Sequence, residues 1–126
     1  MKLKHIGLNI ASASEVDYFY RGILKCWPEN NTEVSEGLSK EVFQQDGDAN
    51  IFTVRNSELT FKLFLTEKGQ ENAFNHLCIE VGDREHIAEK ARAFGYPVVR
   101  IKQDSDELLF VKDKAGNIFE LISEGT

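Results

Sequence analysis

Two stretches of the chain, LKHIGLNI at residues 3–10 and FNHLCIEV at residues 74–81, share one pattern: a histidine heads a run in which apolar and polar residues alternate. Ile6, Leu8 and Ile10 fall on one side of the first run, opposite His5, Gly7 and Asn9. In the second, Leu77, Ile79 and Val81 oppose His76, Cys78 and Glu80. That two-residue period predicts half-buried β-strands. From His5 to His76 is a step of 71 positions, and the step holds further along the chain.

Ser12 followed three residues later by Glu15 has the form of a capping box, and Val16, Phe19, Tyr20 and Ile23 continue it at helical spacing. Adding the same step reaches Asp83, a second N-cap, and then Ile87, Ala91 and Phe94. Phe19, Tyr20 and Phe94 are expected in the core. Gly95 and Pro97 close the second helix in the usual order of Gly just past the end and Pro beyond it. His86, in the first turn of that helix, is expected in solvent. Trp27 follows the first helix and suits either the core or a subunit contact.

Three strand-like runs follow each helix. They are EVFQQ, NIFTV and LTFKLFL in the first half, then PVVRI, ELLFV and NIFELIS in the second, with RNSE and KDKAGN as the turns before the last strands. Residues 28–40, PENNTEVSEGLSK, read as a longer loop peculiar to the first half. Beyond that insertion FKLF at 61–64 matches FELI at 119–122, a step of 58. The expected organisation is one α+β domain over residues 1–126, made of tandem βαβββ modules at 1–65 and 74–126 with a polar linker at 66–73.

Composition narrows the function classes. A chain of 126 residues with 41% hydrophobic and 29% charged content is the size and kind of one globular domain. Its formal charge of −6, with no dense basic cluster, argues against nucleic acid as a partner. No apolar run has the length of a membrane span, and the lysines within MKLKHIGLNI interrupt any signal-peptide core, so a cytoplasmic protein is expected. Cys26 and Cys78 form no motif and suit two reduced thiols, with Cys78 a small site-lining residue.

The duplicated order, the paired histidines and KDKAGNIFELIS together resemble the vicinal oxygen chelate superfamily, which includes glyoxalase I, bleomycin-resistance proteins, extradiol dioxygenases and fosfomycin-resistance thiol transferases. The last stretch is similar to that family's D-P-x-G-N-x-x-E-L ending, with Lys114 in place of Pro. The resemblance implies sheets that curl into a cup with helices outside. It implies metal ligands at His5, His76 and Glu120, and a homodimer in which modules pair within one chain or across a two-fold axis. Strand parity independently puts His5, Gly7, Asn9, His76, Cys78 and Glu80 on the side away from the helices. The same parity puts Thr60, Lys62, Phe64, Ile118, Glu120 and Ile122 there, with Phe64 available to stack on a ligand.

One position departs from the pattern. Where a glyoxalase-like site has its fourth donor, this chain has Lys62, whose ammonium offers no lone pair to a cation. Glu58 shares its parity but lies roughly 13 Å away along an extended strand. Ordinary four-ligand glyoxalase I chemistry is therefore not expected. One reading is a two-histidine, one-carboxylate site with open positions, the arrangement of Fe(II) oxygenases and also compatible with Zn, Mn, Ni or Co. It would act on a small oxygen-rich substrate, with Glu120 and Lys62 as its chemical groups and Asn9, Thr60, Phe64 and Cys78 lining it. The other is a metal-free binding or sequestering protein in which Lys62 pairs with Glu120.

Overall fold

The computed structural model describes residues 3–45, 49–66 and 75–125; of the expected linker, only Thr66 lies among them, and Phe74 at the head of the second repeat also falls outside. The chain divides into two units, Met1–Lys68 and Gly69–Thr126. Each carries a four-stranded mixed sheet, so the α+β class and the duplicated fold are borne out. Among the described residues no helix is long and apolar enough to cross a membrane.

In the first unit β1 (Ile6–Ile10) runs parallel to β4 (Thr60–Leu65), and β3 (Ala49–Arg55) joins β4 to β2 (Trp27–Val34) by antiparallel pairing, giving the order β1-β4-β3-β2. In the second, β5 (Leu77–Val81), β6 (Val98–Gln103), β7 (Asp106–Lys112) and β8 (Ile118–Ser123) repeat that order as β5-β8-β7-β6. Parity is visible in the burial. Phe61, Leu63, Phe119 and Leu121 are wholly buried, whereas Thr60, Lys62, Phe64, Ile118 and Glu120 are half-buried.

The elements after β1 and β5 differ. Val16–Arg21 forms a π-helix, not the expected α-helix: Gly22 N–H donates to Asp17 O at 2.9 Å and Leu24 N–H to Phe19 O at 3.1 Å, five residues back. A β-carbon at Gly22 would lie 2.5 Å from the Tyr18 carbonyl oxygen, so the wide turn closes on a residue without one. The expected capping box takes another form. Ser12 accepts the Glu15 N–H through its main-chain carbonyl, and its hydroxyl bonds Ser14. Val16, Phe19, Tyr20 and Ile23 are buried nonetheless, with Tyr20 edge-on to both Phe19 and Phe61 at 5.1 and 5.6 Å.

The second helix, α2 (Arg84–Ala93), begins as expected: the Asp83 carboxylate accepts the N–H groups of Glu85 and His86. His86 is exposed. The helix ends on a Schellman motif, with Tyr96 N–H donating to Ala91 O and Gly95 N–H to Arg92 O, and Gly95 at φ 87°. This corrects one core assignment. The reversal at Gly95 sends Tyr96 inward and leaves Phe94, at the C-cap, 54% exposed.

The first half holds a further correction. Residues 28–40 are not a loop: they contain most of β2 and most of a short helix, α1 (Glu36–Glu41), capped by Ser35, whose hydroxyl accepts the Leu38 N–H. EVFQQ is correspondingly the end of α1 and a turn, not a strand. WPENNTEV shows no apolar alternation because β2 is an edge strand, exposed along all but its last residue and held by pairing with β3. Pro28 sits beside a bulge, where its missing N–H disrupts no ladder bond. Trp27 opens this strand, exposed, with Arg21 stacked 4.6 Å from its ring.

Candidate functional site

The second unit brings two of the expected ligands together. His76 stands one residue ahead of β5, two before Cys78, and Cys78 lies opposite Glu120 in the parallel β5–β8 pairing. Neighbours opposite one another in register share a sheet face, so the three side chains converge. His76 Nε2 lies 3.6 Å from Glu120 Oε1, with the imidazole 45% and the carboxylate 21% exposed. Two donors on a common cation at ordinary N and O bond lengths stand about 3.0–3.5 Å apart, so this pair fits a metal ion after a small adjustment. Among the described residues, no group of three His, Cys, Asp or Glu side chains is clustered closely enough to hold a metal.

The position of Glu120 is set by the turn before β8. Asp113 and Asn117 are both buried; the Asp113 carboxylate accepts the Asn117 N–H at 2.8 Å and its side-chain amide at 2.7 Å, while Asp113 N–H donates to Asn117 O. This closed turn starts β8 in register with β5. The Cys78 thiol is exposed, and its pKa is raised above the ordinary value, first by desolvation and then by the negative charge of Glu120. Such a thiol is poorly set up as a nucleophile. Cys26, buried in the first unit, is pushed up to about 11 by desolvation.

The first unit carries the other residues. His5 is exposed, one residue ahead of β1. Gly7 lies opposite Lys62, which lies opposite Thr53, and Asn9 lies opposite Phe64. Thr60 faces Arg55 in the next row. A β-carbon at Gly7 would touch the Phe64 ring, at 3.4 Å, and no other described side chain or backbone within 4 Å. Phe64, expected to be free for stacking, already packs on Phe43 just beyond α1, with ring centroids 5.5 Å apart.

Sequence reasoning missed Phe43, because the stretch around it read as a strand. It also passed over Phe110 and Lys112. Phe110 lies opposite Glu120 and Lys112 opposite Ile118, on the face that carries His76. The signal was present: Leu109 and Val111 are fully buried, so alternation puts Phe110 and Lys112 on the other side.

No protein-family profile matches the chain. It is 27% identical over 128 residues to a lactoylglutathione lyase of Neisseria meningitidis serogroup A, covering 98% of this chain and 91% of that protein. Among solved structures it is similar to a point mutant of the fosfomycin-resistance protein FosX of Listeria monocytogenes, complexed with Mn(II) and 1S,2S-dihydroxypropylphosphonic acid, at TM-score 0.73 and 16% identity over 95% of this chain and 90% of that one. A glyoxalase family protein of Enterococcus faecalis matches at TM-score 0.68 and 14% identity, covering 95% of both chains. Two histidine-headed strands, two four-stranded sheets of one order and these full-length likenesses show that the chain has the glyoxalase/vicinal oxygen chelate fold.

Proposed function

We propose that His5, His76 and Glu120 hold one divalent cation and that the protein acts on a small oxygen-rich molecule. The observation that carries this reading is the approach of His76 Nε2 to Glu120 Oε1, 3.6 Å apart on one sheet face. His5 holds the equivalent place at the head of β1, which is the basis for adding it to the pair. The neighbour with Mn(II) and a vicinal diol, and the relative that is a lactoylglutathione lyase, support the same ligand class. A bound cation supplies Lewis-acid stabilisation of negative charge on two adjacent substrate oxygens. The chain's own contribution is to fix the ligands: Asp113 and Asn117 start β8 so that Glu120 meets His76, while Asn9, Thr60, Phe64 and Cys78 shape the surrounding faces. Iron, zinc, manganese, nickel and cobalt all suit this donor set. The reading includes a cytoplasmic homodimer, in keeping with the superfamily's two ways of pairing modules.

Lys62 favours a second reading, a metal-free binding protein in which it pairs with Glu120, because the resemblance expects a fourth metal donor at its position and an ammonium has no lone pair to give. Metal content separates the two. Protein purified without chelators, then titrated with Mn(II), Fe(II), Zn(II) and Ni(II), is expected to take up one equivalent, and His5→Ala with His76→Ala to abolish uptake. A wild-type protein that stays empty under all four ions sinks the metal reading. Lys62→Glu is expected to tighten Mn(II) binding by adding a donor.

A further inference from the structure

The candidate face of the first unit has an unusual chemical balance. Its successive rows hold Trp27, Arg55 and Thr60, then Asn30, Thr53, Lys62 and Gly7, then Thr32, Ile51, Phe64 and Asn9. These are two cations, several hydroxyl and amide groups, and no carboxylate. Arg55 is neutralised by Glu29, at 3.3 Å beside the β2 bulge. Lys62 is half-buried, and among the described residues of its own unit it makes no hydrogen bond or ion pair. A strand lysine often lies with its stem on the sheet and its head in water, which needs no partner. Here, however, the neighbour across the pairing is Gly7, which brings no side chain of its own and where a β-carbon would touch only the Phe64 ring, and the neighbour on the other side is the buried hydroxyl residue Thr53. Among the described residues of this unit, a group entering over Gly7 would meet the Lys62 ammonium and polar side chains, with the nearby Glu29 carboxylate already engaged by Arg55.

We infer that this face receives an oxyanion of the ligand, a carboxylate, phosphate or phosphonate group, and that Lys62 is its binding residue. The inference rests on the metal reading above, in which Glu120 is committed to the cation and Lys62 remains available to the ligand. A lysine at this position thereby selects for substrates that carry an oxyacid group besides their metal-seeking oxygens. An ammonium–oxyanion hydrogen bond is among the stronger kinds, and its loss from a partly desolvated site weakens binding roughly tenfold or more.

The test is calorimetric titration of the full chain with inorganic phosphate and with acetate, in the presence of Mn(II), whose own binding is recorded separately. Wild-type protein is expected to bind at least one of the two anions. Lys62→Met is expected to weaken that binding roughly tenfold or more, and Lys62→Arg to retain it, which separates lost charge from lost folding. Lys102→Met, removing the same charge from the exposed edge strand of the other unit, serves as the control and is expected to change nothing. Equal affinity in wild type and Lys62→Met, or no anion binding by the wild type, overturns the inference. If Mn(II) fails to bind while the Lys62 dependence persists, the metal reading falls and the anion site stands.

Discussion

Gly7 opposite Lys62 in the first unit and Cys78 opposite Glu120 in the second are the same structural position occupied twice, with opposite chemistry. The residues behind them barely differ: Phe61 and Leu63 correspond to Phe119 and Leu121, all wholly buried. Burial holds the two modules alike because each sheet has to cover its apolar face, while the opposite face carries no such demand. One copy can therefore present a cation and the other a carboxylate next to a histidine. The repeated strand order gives the two units one scaffold, and the unburied side carries the difference between them.

The two units also close their last turns differently, and this difference should have the largest effect. Asp113→Ala leaves the buried Asn117 N–H and amide without their acceptor and is expected to cost about 2–3 kcal/mol. In the first unit Asn56 does the equivalent work, accepting the Glu58 and Leu59 N–H groups in a more open turn, and Asn56→Ala is expected to cost about 1 kcal/mol. Urea unfolding of both variants measures the contrast; equal losses would mean that burial does not distinguish the turns.

Helix ends give a smaller contrast. Gly22→Ala forces a methyl against the Tyr18 carbonyl in the π-helical turn and is expected to cost about 2 kcal/mol. Gly95→Ala has open space but sits at φ 87°, and about 1 kcal/mol is expected. Thermal melts that reverse this order would show that the π-turn adapts more readily than the left-handed cap.

The smallest effect concerns an exposed ion-pair group in the second unit. Arg100 grips Glu85 on α2 through two bonds, at 3.0 and 2.7 Å, and Glu107 on β7 through one, at 2.9 Å. The Glu85 carboxyl is held below its ordinary value, chiefly by its hydrogen bond to Arg100. A carboxylate whose pKa is lowered on folding adds stability above its unfolded pKa and loses it as pH falls through the folded one. The melting temperature is thus expected to fall more steeply from about pH 5 to about pH 3 in wild type than in Arg100→Met, and the difference to shrink in high salt. Parallel profiles would remove Arg100 as the link between α2 and the sheet.

The strands that carry the candidate site residues were legible because each has one buried side. In β4 and β8 alternation alone separates Phe61, Leu63, Phe119 and Leu121 from Lys62 and Glu120, and the burial follows that pattern. Asp83 announced α2 for a local reason, since a carboxylate can cap the helix that follows it whatever else surrounds it. β2 was not legible. Its residues, WPENNTEV, bury almost nothing, and the strand exists because β3 offers it a pairing edge. Phe94 misled for the opposite reason: it continues the apolar spacing, but the helix has ended and the chain has turned at Gly95.

Period and the local chemistry of caps and turns were enough for the duplication, the α+β class and the side of each central strand that turns away from the core. Pairing and packing across the chain added the rest: that β2 joins a sheet at all, that the first helix widens to a π-turn, that Phe43 covers Phe64, and that His76 meets Glu120 at 3.6 Å. Each of these depends on how a segment meets its surroundings in the fold, and no periodicity within the segment records that.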